Sequence, residues 1–196
     1  DLPYSEPVRA YLATQIELDR AMAYLLDQLE QAGVADRTLI AMSADHYPYG
    51  LTNKQNEELA GTPLDPDFEI YHNAFILYSP GMEPQVIDTP ACSMDILPTL
   101  LNLMGLPYDS RLLMGRDLFS DAPPLVFFFD RSFITDRGRY NAKTDTFTPV
   151  DPGDATEQDW AAYRSYISSV ISEKFRVSAE VLDRNYYAYI PFFPGS

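Results

Sequence analysis

The stretch Thr38-Leu-Ile-Ala-Met-Ser-Ala-Asp-His-Tyr47 decides how this chain is read. Residues 38–44 form a short, largely apolar run, and it stops on a carboxylate followed by an imidazole. That pattern reads as a buried strand delivering Asp45 and His46 to the mouth of a sheet, since open α/β sheets bind ligands outside the carboxyl ends of their strands. One carboxylate and one imidazole suit Zn²⁺ or Mn²⁺. Two ligands do not complete a metal site, and the chain holds only two histidines. The pair therefore points to further ligands on sequence outside this chain.

Upstream, residues 5–32 read as a long helix. Ser5 is its expected N-cap and Pro7 sits harmlessly in the first turn. Its apolar stripe is Val8, Leu12, Leu18, Met22, Leu25 and Leu29, joined by Tyr11 and Leu26, and Gly33 is its stop. The helix, a short turn at Asp36-Arg37 and the strand follow in α/β order. Downstream, Tyr47-Pro-Tyr-Gly50 must be irregular and residues 53–60 suit a short helix. Residues 71–78 read as a second buried strand and 93–104 as a helix capped by Ser93. The expected layer over 5–104 is helical with parallel strands, part of a larger sheet whose open edge and bare apolar faces invite association.

From about residue 110 the texture changes. Residues 124–129, 132–135, 138–142 and 146–150 are short strand candidates separated by turn residues, an antiparallel meander. A helix over 156–175 presents Trp160, Tyr163, Ile167, Val170 or Ile171, and Phe175 on one side, and a second helix covers 178–185. The aromatic tail 186–195 is too rich in proline for a helix and is expected to pack on the surface. The chain divides into an α/β core portion, 1–120, and a meander with C-terminal helices, 121–196.

The formal charge of −15 argues against a nucleic-acid partner, because phosphate backbones require clustered Lys and Arg. No apolar run approaches membrane-spanning length. The chain begins at Asp1, which suggests processing or truncation, and membrane helices on an absent N-terminal part stay open. The single Cys92 excludes an internal disulfide.

The block Leu39-Ile-Ala-Met-Ser-Ala-Asp-His-Tyr47 resembles the late metal-binding motif of the alkaline phosphatase/sulfatase superfamily, and its Asp-His-Tyr triplet is closest to the lipoteichoic acid synthase branch. Phe75-Ile-Leu-Tyr-Ser-Pro-Gly81 and Met94-Asp-Ile-Leu-Pro-Thr-Leu-Leu-Asn-Leu-Met-Gly105 are similar to the family's following strand and its D-x-x-P-T helix. Met114-Gly-Arg-Asp-Leu-Phe-Ser120, Ser132-Phe-Ile-Thr135 and Val177-Ser-Ala-Glu-Val-Leu182 match later blocks in the same order. Pro48-Tyr49, standing between the triplet and Gly50, departs from the family pattern.

The resemblance implies an α/β fold, the C-terminal portion of an alkaline phosphatase/sulfatase-type sandwich. It implies a phosphoglycerol transferase on the extracellular face of a bacterial membrane, moving glycerol phosphate from phosphatidylglycerol to a glycerol-phosphate polymer by way of an upstream threonine nucleophile. The missing N-terminal part of the same domain is then a partner of this chain. Asp45 and His46 would be metal ligands, with Mn²⁺ the family's usual ion and Zn²⁺ or Mg²⁺ open. By position and not by resemblance, Tyr47, Asn53, Lys54 and His72 are candidate substrate contacts; the family's substrate-binding histidines lie upstream, so His72 does not inherit that role, and its plain reading is a strand-end histidine with an ordinary hydrogen bond. Asp95 and Asp117 suit capping and turn roles. Another sulfatase-superfamily hydrolase, a phosphoethanolamine transferase, or a non-catalytic binding module are the alternatives.

Overall fold

The computed structural model describes residues 2–189. The chain forms two compact units, 1–86 and 87–196. In the first, helix α1 (Glu6–Gln31) begins one residue after Ser5, with Pro7 in its opening turn. Ser5 does not cap it. Its hydroxyl donates to Glu58 Oε2 at 2.7 Å, and its backbone N–H donates to Glu58 Oε1. The hydroxyl is turned toward the Glu58 carboxylate and accepts no helix-end N–H. Of the stripe read along α1 only Val8 is buried, while Leu18 is 56% and Leu25 41% exposed.

Strand β1 (Ile40–Ser43) and strand β2 (Phe75–Tyr78) form a two-stranded sheet. They pair antiparallel, Ile40 opposite Tyr78 and Ser43 opposite Phe75, so the expected parallel layer is wrong. A parallel return needs a crossover that carries the chain back along the sheet. Between the strands lies only one regular helix, α2 (Asn53–Ala60), about 12 Å long. It is followed by irregular backbone and a 3₁₀ turn at Glu69–Tyr71, and the pairing shows that the chain re-enters the sheet at the end it left. Tyr71 to Ala74, expected in the strand, precede it. Ile76 and Tyr78 remain 48% and 43% exposed on one face.

In the second unit, residues Ser93–Asp95 form a 3₁₀ turn that leads into helix α3 (Ile96–Leu103). Ser93 is inside the turn rather than its cap; the Asp95 carboxylate instead accepts the Cys92 N–H at 2.9 Å. The same carboxylate accepts the Arg116 N–H at 2.7 Å. Thr99 Oγ1 donates to the Asp95 carbonyl at 2.6 Å and accepts the Leu118 N–H at 3.0 Å. Asp117 receives Asn102 Nδ2 at 2.7 Å and its own turn's Phe119 N–H at 3.0 Å. The D-x-x-P-T and G-x-D-L-F-S blocks are thus one clamp. Gly115 is obligatory in it, because a Cβ there would lie 2.0 Å from the Met94 carbonyl oxygen. Cys92 is enclosed beside the clamp, and burial, then the Asp95 charge, pushes its thiol up to about 11.

Strands β3 (Val126–Phe127), β4 (Phe133–Ile134), β5 (Gly138–Asn141) and β6 (Thr146–Pro149) form the expected antiparallel meander in sequential order. Helix α4 (Glu157–Asp183) opens with a Thr156–Asp159 capping box. It lays Ile167 and Ile171 on Phe133, with Phe127, Tyr140, Phe147, Tyr163 and Phe175 around them. Trp160 stacks on Phe147 at 5.2 Å. One helix replaces the two expected over 156–185. Arg176, at the supposed break, pairs with Glu173 and Glu180, bridging the turn before it and the turn after. Of the tail, Tyr187 and Tyr189 are 57% and 79% exposed rather than packed; residues 190–195 lie outside the described residues.

Gly115→Ala should lower the stability of the second unit by at least about 2 kcal/mol, the cost of forcing an extra carbon into a filled space. Asp95→Ala should cost about 2–4 kcal/mol by orphaning two backbone N–H groups. Urea unfolding followed by Trp160 fluorescence reads both.

Candidate metal centre

Beyond Ser43, the last paired residue of β1, the chain leaves the sheet and turns at Asp45 and His46. His46 Nδ1 lies 2.8 Å from the Tyr47 carbonyl oxygen. A carbonyl only accepts, so Nδ1 carries the proton and Nε2 is the ring's free ligand atom. Nε2 lies 3.3 Å from Asp45 Oδ1. Two acceptors facing each other at that distance repel unless a proton or a cation lies between them. The spacing matches that of two ligands held at about 2.1 Å from one ion in tetrahedral geometry, about 3.4 Å apart. The backbone carbonyl that fixes the ring is the outer-shell support a ligating histidine requires.

The site is open: the Asp45 side chain is 88% and the His46 side chain 49% exposed. Among the described residues no third His, Cys, Asp or Glu joins the pair. The two residues therefore fit a divalent ion as part of a ligand set and do not make one alone.

Aromatic rings border the pair. Tyr49 packs on the His46 ring with centroids 4.4 Å apart. Tyr47 meets Tyr49 edge-on at 6.4 Å and Tyr71 edge-on at 5.5 Å. Tyr71 escaped the sequence reading, which placed it in a strand; its signal was the mirror position it takes once the strands are paired antiparallel. The turn over 47–51 is tight, with Tyr49 N–H on the Tyr47 carbonyl and Leu51 N–H on the Pro48 carbonyl.

The other candidates lie apart from this cluster. Asn53 opens α2 behind a Thr52–Gln55 capping box and lines a cavity of about 140 Å³ with Asn56, Glu57, Leu64, Pro66 and Ile70. Buried Asn56 has neither amide atom hydrogen-bonded, and both atoms are sealed from solvent. Lys54 is exposed, and its charge acts on Glu58 one turn later. His72 follows the 3₁₀ turn in extended conformation, exposed, and its ring makes no hydrogen bond, contrary to the plain reading of a satisfied strand-end histidine.

A profile described as Sulfatase matches residues 3–106, which include the Asp45-His46 pair and both strands that frame it. The chain belongs to the sulfatase family. It is similar to a lipoteichoic acid synthase of Staphylococcus saprophyticus, 33% identical over 137 residues, covering 68% of this chain and 21% of that protein. It is 30% identical over 139 residues to a lipoteichoic acid synthase of Staphylococcus aureus, with the same two coverages. The lipoteichoic acid synthase-like protein YvgJ of Bacillus subtilis is 28% identical over 151 residues, 71% of this chain and 24% of that protein. This sulfatase-family chain thus spans between a fifth and a quarter of the length of these relatives. No helix among its described residues is long and apolar enough to cross a membrane.

Helix α2 follows the ligand turn and is tied to α1 through Ser5 and Glu58. The Ser5 hydroxyl, then its N–H, hold the Glu58 carboxyl below its ordinary value of 4.5. A depressed carboxyl stabilises the fold fully above its unfolded value and loses that contribution as pH falls through the folded one. Glu58→Gln should therefore destabilise the first unit at pH 7, and the difference from the unaltered protein should shrink below about pH 4. Thermal unfolding at the two pH values measures it.

Proposed function

We propose that this chain is part of a metal-dependent phosphoglycerol transferase of the lipoteichoic acid synthase type, acting at the outer face of a bacterial membrane. The observation that carries the reading is the similarity to proteins named lipoteichoic acid synthase over about 68% of the chain. The facing donors Asp45 Oδ1 and His46 Nε2 support it.

In this reading Asp45 supplies charge and His46 a neutral nitrogen to a divalent ion, Mn²⁺ by preference, with Zn²⁺ or Mg²⁺ as alternatives. Such an ion polarises a phosphoryl oxygen and favours the deprotonated nucleophile. The Tyr47 carbonyl holds the ring so that Nε2 faces the ion's position. Tyr49 covers one face of the imidazole and limits its rotation. The remaining ligands and a threonine nucleophile come from sequence that the longer relatives possess, and phosphatidylglycerol is the donor and a glycerol-phosphate polymer the acceptor. The half-exposed face carrying Ile76 and Tyr78, and the unpaired edges of a two-stranded sheet, suit that same additional sequence; a lone pair of strands is only marginally stable in water.

Three outcomes test the proposal. The isolated chain should release no headgroup from a fluorescent phosphatidylglycerol, and calorimetry with Mn²⁺ should find no submicromolar site, since catalytic sites use three or more protein ligands. In a protein that joins the chain to the upstream portion of its relatives' length, Asp45→Asn and His46→Ala should each reduce headgroup release by roughly 10²–10³ or more with circular dichroism unchanged. Near-normal turnover by His46→Ala with metal retained would overturn the site.

A further inference from the structure

The antiparallel register continues past the last hydrogen-bonded pair. The observed register ends with Ser43 opposite Phe75; counted onward by sequence alone, it would set Asp45 against Asn73, His46 against His72 and Tyr47 against Tyr71. The strands part after Ser43 and Phe75, but they meet again: the Tyr47 and Tyr71 rings are in edge contact at 5.5 Å. The backbone between these two contacts encloses an eyelet, pinned at one end by the sheet and at the other by two tyrosines in register. Asp45 and His46 lie on one side of it, His72 and Asn73 on the other.

The two sides differ in chemistry. Asp45 Oδ1 and His46 Nε2 face one another across 3.3 Å. His72 stands on the opposite side with an exposed ring free of hydrogen bonds, and it is not close enough to the pair to count as a third ligand. Asn73, its neighbour, is turned back: its Nδ2 donates to the Tyr71 carbonyl at 3.4 Å. Lys54, the first cation after the ligand turn, lies within the field of Glu58. An imidazole N–H is thus the free donor on the side of the eyelet opposite the ligands. An anion bound to an ion at Asp45 and His46 projects its remaining oxygens away from those ligands.

We propose that His72 is a substrate-binding residue of this centre, donating a hydrogen bond to an anionic oxygen of the phosphate group held at the Asp45–His46 ion. The proposal rests on the phosphoryl-transfer reading above and assigns the ligand class of the eyelet's far side: a phosphate monoester or diester such as a glycerol phosphate. A phosphate oxygen accepts well from an imidazole N–H, and a charge-assisted hydrogen bond of this kind is among the stronger ones. The Tyr47–Tyr71 edge contact ties the two sides of the eyelet together.

The chain's two histidines allow a direct test, because the ring Cε1–H region of its NMR spectrum holds two signals, assigned with His72→Gln. Mn²⁺ added to the full chain should broaden both signals, and Asp45→Asn should reduce the broadening at both. With diamagnetic Mg²⁺ in place of Mn²⁺, glycerol 1-phosphate should shift His72, and Tyr71→Ala should remove that shift while leaving the Mn²⁺ broadening of His46. Broadening of His46 alone, with His72 unmoved by glycerol 1-phosphate, overturns the role of His72 and leaves the metal reading standing. Absence of broadening at either ring overturns the metal reading and the proposal with it. In the longer transferase, His72→Gln should raise KM for phosphatidylglycerol about tenfold, with kcat within about threefold and bound Mn²⁺ unchanged, as expected for one lost hydrogen bond to a charged group. An unchanged KM would likewise overturn it.

Discussion

Everything at the candidate centre depends on the antiparallel pairing of β1 with β2. The pairing fixes where β1 ends, and so where Asp45 and His46 leave the sheet. It also fixes what returns beside them. A parallel partner would have brought the start of its strand, with His72, to the opposite end of the sheet from the ligands. The antiparallel partner brings that histidine and Tyr71 to the same end, and the Tyr47–Tyr71 contact holds the returning segment there. The irregular backbone and 3₁₀ turn after α2 bring the chain back over the end of the sheet it left.

The second unit is organised by a different constraint, the satisfaction of buried polar groups. Asp95 and Thr99 sit fully enclosed at the start of α3. They are tolerated there because each polar atom serves a backbone partner: Asp95 takes N–H groups from Cys92 and Arg116, and Thr99 links the Asp95 carbonyl to Leu118. This gives the D-x-x-P-T and G-x-D-L-F-S blocks a joint structural role, since each supplies the other's hydrogen-bond partners. The meander and α4 make a conventional aromatic core by comparison, with Phe133, Phe147 and Trp160 stacked between strand and helix.

Much of this was legible residue by residue. The strand that stops just before Asp45, the short helix over 53–60, the meander and the inner face of α4 all follow from apolar periodicity and turn residues, which are local signals. The misreadings trace to interactions that apolar periodicity does not report. Ser5 has a capping residue's chemistry, yet Glu58, fifty-three positions away, claims its hydroxyl. Val177 and Ser178 look like a helix boundary, yet Arg176 pairs with carboxylates on both sides of it. The stripe along α1 reads as core, yet Leu18 and Leu25 stay exposed in this chain. For Ser5 a partner remote in sequence decided the outcome, and for the α1 stripe the lack of one; the continuity of α4 is supported instead by local pairs one turn away.

The sequence by itself determined that Asp45 and His46 stand side by side at a strand end, because adjacency and the end of an apolar run are properties of consecutive residues. It also determined the family, through ordered blocks that no single motif could establish. Tertiary structure alone decided the direction of β2, and with it the placement of His72 and Tyr71 across from the ligand pair. Strand direction depends on where the intervening chain comes to rest, and a short apolar run carries the same side-chain alternation whichever way it is traversed.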